Sequence, residues 1–288
     1  MNLKLGGKNA KFLFLLPAAL WTLFFTIFPL FYSLRLSFFR YVLGKPPQFI
    51  GFGNFLRAFR DYKVAEAAEV TLIFIIVAIP AEMLLGMGLA LLFNQEIRGR
   101  RFFRTILTIP LFFTPVAIGL LGLTIFYEEG GPINSFLALV GEKIPWISHP
   151  TWAMVAILLV EIWQWTPFVF LVLLAGLQGL PEDVYESAIL DTSSGWQLFR
   201  WITLPMLQPV IIIAFLLRLI EAVKVFDVAY SLTAGGPGTS TQVYSLFVYR
   251  VAMKFFDLGY ASSLAYLLLI AMSLVITFFF RQMREIYG

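Results

Sequence analysis

The chain has 288 residues, of which 60% are hydrophobic, 17% aromatic and only 13% charged. A soluble domain is about half apolar and about a quarter charged, so this composition excludes a soluble globular fold, disorder, coiled coil and collagen, and points to an all-α polytopic membrane protein. The absence of cysteine and the single histidine, His149, remove disulfides, iron–sulfur clusters, thiol nucleophiles and most imidazole chemistry, while the net charge of +4 lies in short clusters beside apolar runs, as at a membrane boundary rather than a nucleic-acid surface.

A spanning helix needs about 20 mainly apolar residues. Six runs qualify, over residues 12–39, 70–93, 106–127, 152–177, 206–230 and 264–280. The first is too long for a cleavable signal, contains Pro17 and Pro29 and lacks a small-residue cleavage site, so it is expected to remain as a helix. Prolines 80, 110, 115 and 167 recur in the later runs, as kinks or as ordinary membrane-helix composition.

Basic residues set the expected orientation. Lys4, Lys8 and Lys11 precede the first span, Arg98, Arg100, Arg101 and Arg104 crowd the segment between the second and third, and Arg281 and Arg284 follow the last. These segments alternate so as to lie together in the cytoplasm, with both termini. The opposite loop, 128–150, carries Lys143 against Glu128, Glu129 and Glu142, and His149 there reads as a loop residue without a metal partner. The first external loop departs from the bias, with Arg40, Lys45, Arg57, Arg60 and Lys63. Its stretch 54–68 reads as an amphipathic segment on the outer surface.

Between the fourth and fifth spans, residues 179–205 are too polar to cross a bilayer. They read as two short helices. Pro181 followed by Glu182 and Asp183 starts one, ending near Asp191. Thr192, Ser193, Ser194 and Gly195 break the run; Ser194 with Gln197 forms a capping box for the second, whose apolar face is Trp196, Phe199 and Ile202 and whose end is expected at Pro205. Glu186, Ser187 and Ala188 set a carboxylate beside two small side chains, which suits either a solvated connection or a surface that a second protein approaches closely.

This loop resembles the signature of the membrane subunits of binding-protein-dependent ABC importers, in the sugar-type branch related to the maltose and glycerol-3-phosphate permeases. That signature is Glu-Ala-Ala, three residues, Gly, nine residues, Ile, one residue, Leu-Pro. Here Glu186-Ser187-Ala188 is followed after three residues by Thr192, after nine more by Ile202, and then by Leu204-Pro205, with Asp191 where the branch usually has aspartate. Ser187 replaces alanine, and Thr192 replaces glycine and restricts the turn, leaving Gly195 to supply flexibility. Leu232-Thr-Ala-Gly235-Gly236-Pro237, preceded by Phe226-Asp227, resembles the branch's external loop after the fifth span. Gly51-Phe-Gly-Asn54-Phe55 and Gly259-Tyr260-Ala261-Ser262-Ser263 resemble segments after the first span and before the last.

The resemblance implies one permease domain over residues 1–288, with six transmembrane helices and a cytoplasmic coupling-helix loop between helices 4 and 5. Glu186, Ser187, Ala188, Asp191, Thr192 and Gly195 would dock an ATPase subunit. Gly235, Gly236 and Pro237 would meet the extracellular or periplasmic binding protein. The implied partners are a second similar permease, two ATPase subunits and that binding protein, in a bacterial or archaeal cytoplasmic membrane. The chain itself would hydrolyse nothing, because it has no phosphate-cradling Gly-x-x-x-x-Gly-Lys-Ser/Thr loop; ATP and magnesium would be held by the partners.

Charges inside spans mark cavities or partners. Arg218, Glu221, Lys224 and Asp227 recur every three residues of the fifth span, as a salt-bridge ladder holding the bundle or facing the partner permease, or as part of the translocation path. Glu161, Trp163, Gln164 and Trp165 in the fourth span suit stacking on sugar rings, or packing. Glu82 in the second carries less weight. An ion-coupled secondary carrier would also need such charges, although no internal repeat supports one, and the lone His149 rules out the histidine-based kinds of intramembrane hydrolase.

Overall fold

The computed structural model describes residues 7–191 and 194–287. In chain order it contains helices α1 (Gly7–Thr22) and α2 (Phe28–Ser37), strands β1 (Phe39–Arg40) and β2 (Gln48–Phe49), and helices α3 (Gly53–Arg60), α4 (Tyr62–Asn94), α5 (Arg100–Thr108), α6 (Pro115–Ile125), α7 (Pro132–Leu137), α8 (Pro150–Gln178), α9 (Glu182–Asp191), α10 (Gly195–Leu198), α11 (Leu204–Val223), α12 (Asp227–Thr233), α13 (Tyr244–Met253) and α14 (Leu258–Tyr287). Five stretches are long and apolar enough to cross a membrane: Phe14–Ser37, Tyr62–Asn94, Pro150–Gln178, Gly195–Val223 and Leu258–Arg281. A sixth follows if the bent pair Arg100–Phe112 and Pro115–Ile125 counts as one.

That pair corrects the expected straight span over 106–127. Its halves meet at 100°. The residue before a proline is pushed out of the helical region, and Thr114, before Pro115, is extended at φ −67°, ψ 141°. The amphipathic stretch of 54–68 is also shorter than expected, because α3 ends at Arg60, Asp61 is extended, and α4 begins at Tyr62.

Two prolines do not end helices. Pro205 was expected to stop the loop's second helix, yet Gly195–Val223 runs through it. A proline ring clashes with the carbonyl four residues earlier, which is that of Trp201 for Pro205 and of Phe25 for Pro29. Each of those residues sits mid-way through a π-helical segment, Phe199–Thr203 and Leu23–Ile27. The wider π turn removes the clash without breaking the rod.

The contacts divide the chain into two compact units. The first comprises the described residues of Met1–Tyr62 with Val248–Ser273. There Asn54 Nδ2 donates to the Ser37 and Phe39 carbonyls at 2.9 and 2.8 Å, beside the antiparallel pairs Phe39–Phe49 and Arg40–Gln48. A side chain at Gly259 would stand 2.1 Å from the Phe39 carbonyl oxygen. The Arg57 guanidinium lies 3.8 Å over the Tyr260 ring and 2.8 Å from Asp257, while the Tyr260 hydroxyl donates to Asp61 at 2.9 Å. The motif segments around Asn54 and Tyr260 are therefore two sides of one joint.

The second unit comprises Lys63–Phe247 with the described residues of Leu274–Gly288. Its core packs Ala90 and Phe93 of α4 against Val169, Phe170, Leu173, Leu174 and Leu177 of α8 and Leu207 and Ala214 of α11. Helix α8 is the axis, with 61% of its apolar window buried against 39% for α4 and for Gly195–Val223. Lipid tails are as apolar as leucine, so close packing and polar contacts, rather than hydrophobic burial, must join such helices.

Candidate functional site

Helices α4, α8 and α11 each bring one charged residue to the same buried point. Arg218 is fully buried; its Nε and Nη2 donate to the two oxygens of Glu82 at 2.6 and 2.9 Å, and Nη2 also donates to Glu161 at 3.0 Å. The guanidinium carbon lies 4.3 Å from the centre of the Trp165 ring, one helical turn beyond Glu161. Two carboxylates thus share one cation and one aromatic face. The planar fork of arginine suits this bidentate arrangement, which a lysine would not reproduce.

Gln164 serves the same region differently. Its Nε2 donates at 3.3 Å to the carbonyl of Phe113, at the break between the two halves of the bent span. In lipid a carbonyl freed by such a break needs a partner. Arg218 Nη1 and Gln164 Oε1 are buried with no hydrogen-bond partner among the described residues, so hydrogen-bonding capacity is left in the cluster.

The proposed ladder along the fifth span is not present. Helix α11 ends at Val223, Lys224 caps it, and Asp227 opens α12 after a break, so the four charges do not share one helical face. Arg218 turns to other helices, while Lys224 and Glu221 pair with each other at 2.8 Å on an exposed surface. Trp163 is 48% exposed, on a different side of α8 from the Glu161–Trp165 edge. Glu82, given least weight from the sequence, holds both arms of the arginine. Its signal was that it is the one acid well inside the second span, where a charge requires a buried counter-ion.

In the loop between the fourth and fifth crossings, α9 matches the first expected helix, and Ser194 caps the second by accepting from the Gln197 N–H at 3.4 Å. Glu186, Ser187 and Gly195 are exposed and Ala188 is half-buried. Ser187 Oγ donates back to the Asp183 carbonyl at 2.8 Å, and a side chain at Gly195 would meet nothing within 4 Å. Only the backbone of Asp191 is described, and Thr192 lies outside the described residues. The Tyr185 hydroxyl donates to Thr203 Oγ1 at 2.8 Å, tying α9 to the foot of the rod that carries Arg218.

The loop with Gly235, Gly236 and Pro237 is fastened internally. Ala234, Gly235 and Gly238 have left-handed backbone, and Thr241 Oγ1 bonds both Thr233 Oγ1 at 2.7 Å and the Gly236 carbonyl at 2.8 Å. Thr239 hydrogen-bonds Glu66 of α4, and Thr71 accepts from the Tyr244 N–H at 2.8 Å.

A second platform was not anticipated. The Glu128 carboxylate accepts from the N–H groups of Ile147 and Ser148 at 2.8 and 2.6 Å and from the Ser148 hydroxyl at 3.0 Å. Partial burial raises its pKa, but these three donors outweigh that and leave it below the usual carboxylate range. Asn134 receives the Trp146 indole N–H at 3.1 Å and bonds both backbone groups of Ile144.

Several long apolar crossings around a buried ionic cluster, with an exposed helical loop bonded to one of them, define a polytopic helical membrane protein. The chain belongs to the family of binding-protein-dependent transport system inner membrane components, whose profile matches residues 82–286. It is 36% identical to the sulfoquinovosyl glycerol transport system permease protein SmoG of Agrobacterium fabrum, over 96% of this chain and 90% of that one. It is 37% identical to the trehalose/maltose transport system permease protein MalF of Thermococcus litoralis, over 89% and 87%. Among solved structures it is similar to a chain of a bacterial alginate ABC transporter in complex with an alginate pentasaccharide-bound periplasmic protein, with a TM-score of 0.85 and 25% identity, covering 96% of this chain and 94% of that chain.

Proposed function

We propose that this chain is one of two similar permease subunits of an ATP-driven importer, which passes a carbohydrate from an extracellular binding protein across the cytoplasmic membrane. The substrates for which its relatives are named, sulfoquinovosyl glycerol and trehalose or maltose, support the carbohydrate class. The placement of Lys4, Lys8 and Lys11, of the four arginines at 98–104 and of Arg281 and Arg284 supports a cytoplasmic side for the termini and for the loop with Glu186.

The mechanism rests on one observation: the exposed helix α9 is tied through Tyr185 and Thr203 to a continuous rod that carries Arg218. ATPase subunits docked on Glu186, Ser187 and Ala188 would move α9 as they close on ATP. Thr203 lies 15 residues before Arg218, about 22 Å along a helix, so the displacement reaches the cluster as rigid-body motion of Gly195–Val223 rather than through side chains alone. Arg218, with Glu82 and Glu161, acts as the pivot holding α4 and α8 to that rod. The sealed, turn-rich loop at Gly235, Gly236 and Pro237 offers a fixed surface to the binding protein. ATP hydrolysis belongs to the partner subunits.

Because the chain has no cysteine, Ser187→Cys gives one attachment point for a photoreactive maleimide on the purified chain, which is then assembled with its partners and irradiated. An adduct with the ATPase subunit is expected. Labelling confined to lipid or to the permease itself contradicts the docking role.

A further inference from the structure

Helix α5 follows α4 after a short turn at Gly99, whose left-handed backbone (φ 78°) starts it. At 3.6 residues per turn, Arg100, Arg101, Arg104, Thr105 and Thr108 share one face, and Phe102, Phe103, Ile106 and Leu107 share the other. Leu107 packs on the core cluster. Phe102, Phe103 and Ile106 stand 64%, 51% and 46% exposed. The threonine hydroxyls bond back to the carbonyls of Arg101 and Arg104, leaving the guanidinium groups as the only charges on their face. Among the described residues no carboxylate pairs with Arg98, Arg100, Arg101 or Arg104, and Glu96, in the preceding turn, is exposed.

The helix follows directly on the end of a crossing. The α4 crossing ends at Asn94, and the chain turns through 100° before α6. Water alone would suit the arginines but not the two phenylalanines and the isoleucine; acyl chains would suit the second set and not the first. The layer that suits both is the headgroup region, where a helix lies flat with its apolar face toward the tails and its cations among phosphates. All four cations are arginine, whose fork binds phosphate oxygens bidentately.

We propose that the face formed by Arg100, Arg101 and Arg104, with Arg98 beside it, binds anionic phospholipid headgroups while Phe102, Phe103 and Ile106 sit among the acyl chains. The test is native mass spectrometry of the full chain in detergent, titrated with phosphatidylglycerol or with phosphatidylcholine of identical acyl chains. Wild type is expected to prefer phosphatidylglycerol. The triple variant R100Q/R101Q/R104Q is expected to lose about fivefold in phosphatidylglycerol affinity per arginine removed, with phosphatidylcholine binding unchanged, and R100K/R101K/R104K to keep a preference. If the triple variant does not fold, the exposed single changes R101Q and R104Q read the same ratio in smaller steps. Equal phosphatidylglycerol affinity in the glutamine variants overturns the proposal. So does displacement of the lipid by inorganic phosphate, which marks a free-anion site. Unchanged lipid binding with loss of a co-purifying ATPase subunit, which marks a protein-docking face, overturns it as well.

Discussion

Arg218 is bonded to carboxylates from two other crossings, so its removal leaves Glu82 and Glu161 facing each other without a cation. Stranding a buried charge in this way costs about 3–5 kcal/mol. Arg218→Met is therefore expected to lower the melting temperature of the purified chain sharply, and adding Glu82→Gln to recover part of the loss. A loss that grows additively in the double variant would show that the two residues do not share one interaction. Asp227 lies beyond the end of α11, so Arg218→Ala and Asp227→Ala are expected to have independent, additive effects on stability, measured in the same melting assay. The sequence made Arg218 and Glu161 visible because charges inside apolar runs stand out. It could not pair them, because three-residue spacing suggests neighbours on the same helix, whereas the actual partners are 57 and 136 positions away.

At the level of elements, the joint in the first unit depends on close backbone approach. Gly259→Ala would press a methyl group onto the Phe39 carbonyl oxygen, 2.1 Å from the ideal position. Relieving such overpacking costs about 1–3 kcal/mol, and should appear as a lower melting temperature with the Asn54 contacts disturbed. In the platform of the second unit, the Glu128 carboxyl is held below its ordinary pKa by the Ile147 and Ser148 donors. Its contribution is therefore fully present above the unfolded-state value of about 4.3, and is lost as the pH falls through the lower folded-state value. At neutral pH, Glu128→Gln should expose the Ile147 and Ser148 amides to faster hydrogen exchange; unchanged protection would contradict the assigned role. Most crossings, the α9 helix and the Ser194 cap were legible because apolar length and capping chemistry are local. The end of α11 at Val223 and the passage of the rod through Pro205 were not. A π turn compensates for that proline, and nothing in residue type alone announces it.

At the scale of the whole molecule, a few polar groups tie separate elements together. Tyr185 and Thr203 lock the exposed loop to a rod, and Arg218 locks that rod to two further crossings. The two short helices of the loop between Glu186 and Pro205 were readable from capping residues and apolar spacing, because those signals are local. The most direct test of the account is ATP hydrolysis and sugar uptake by the reconstituted complex, stimulated by its binding protein, with wild type compared against Glu186→Lys. Reversing the exposed charge on α9 is expected to abolish uptake and stimulated hydrolysis while leaving the permease folded. Uptake and stimulated hydrolysis equal to wild type would contradict the claim that α9 carries the work of the ATPase into the membrane.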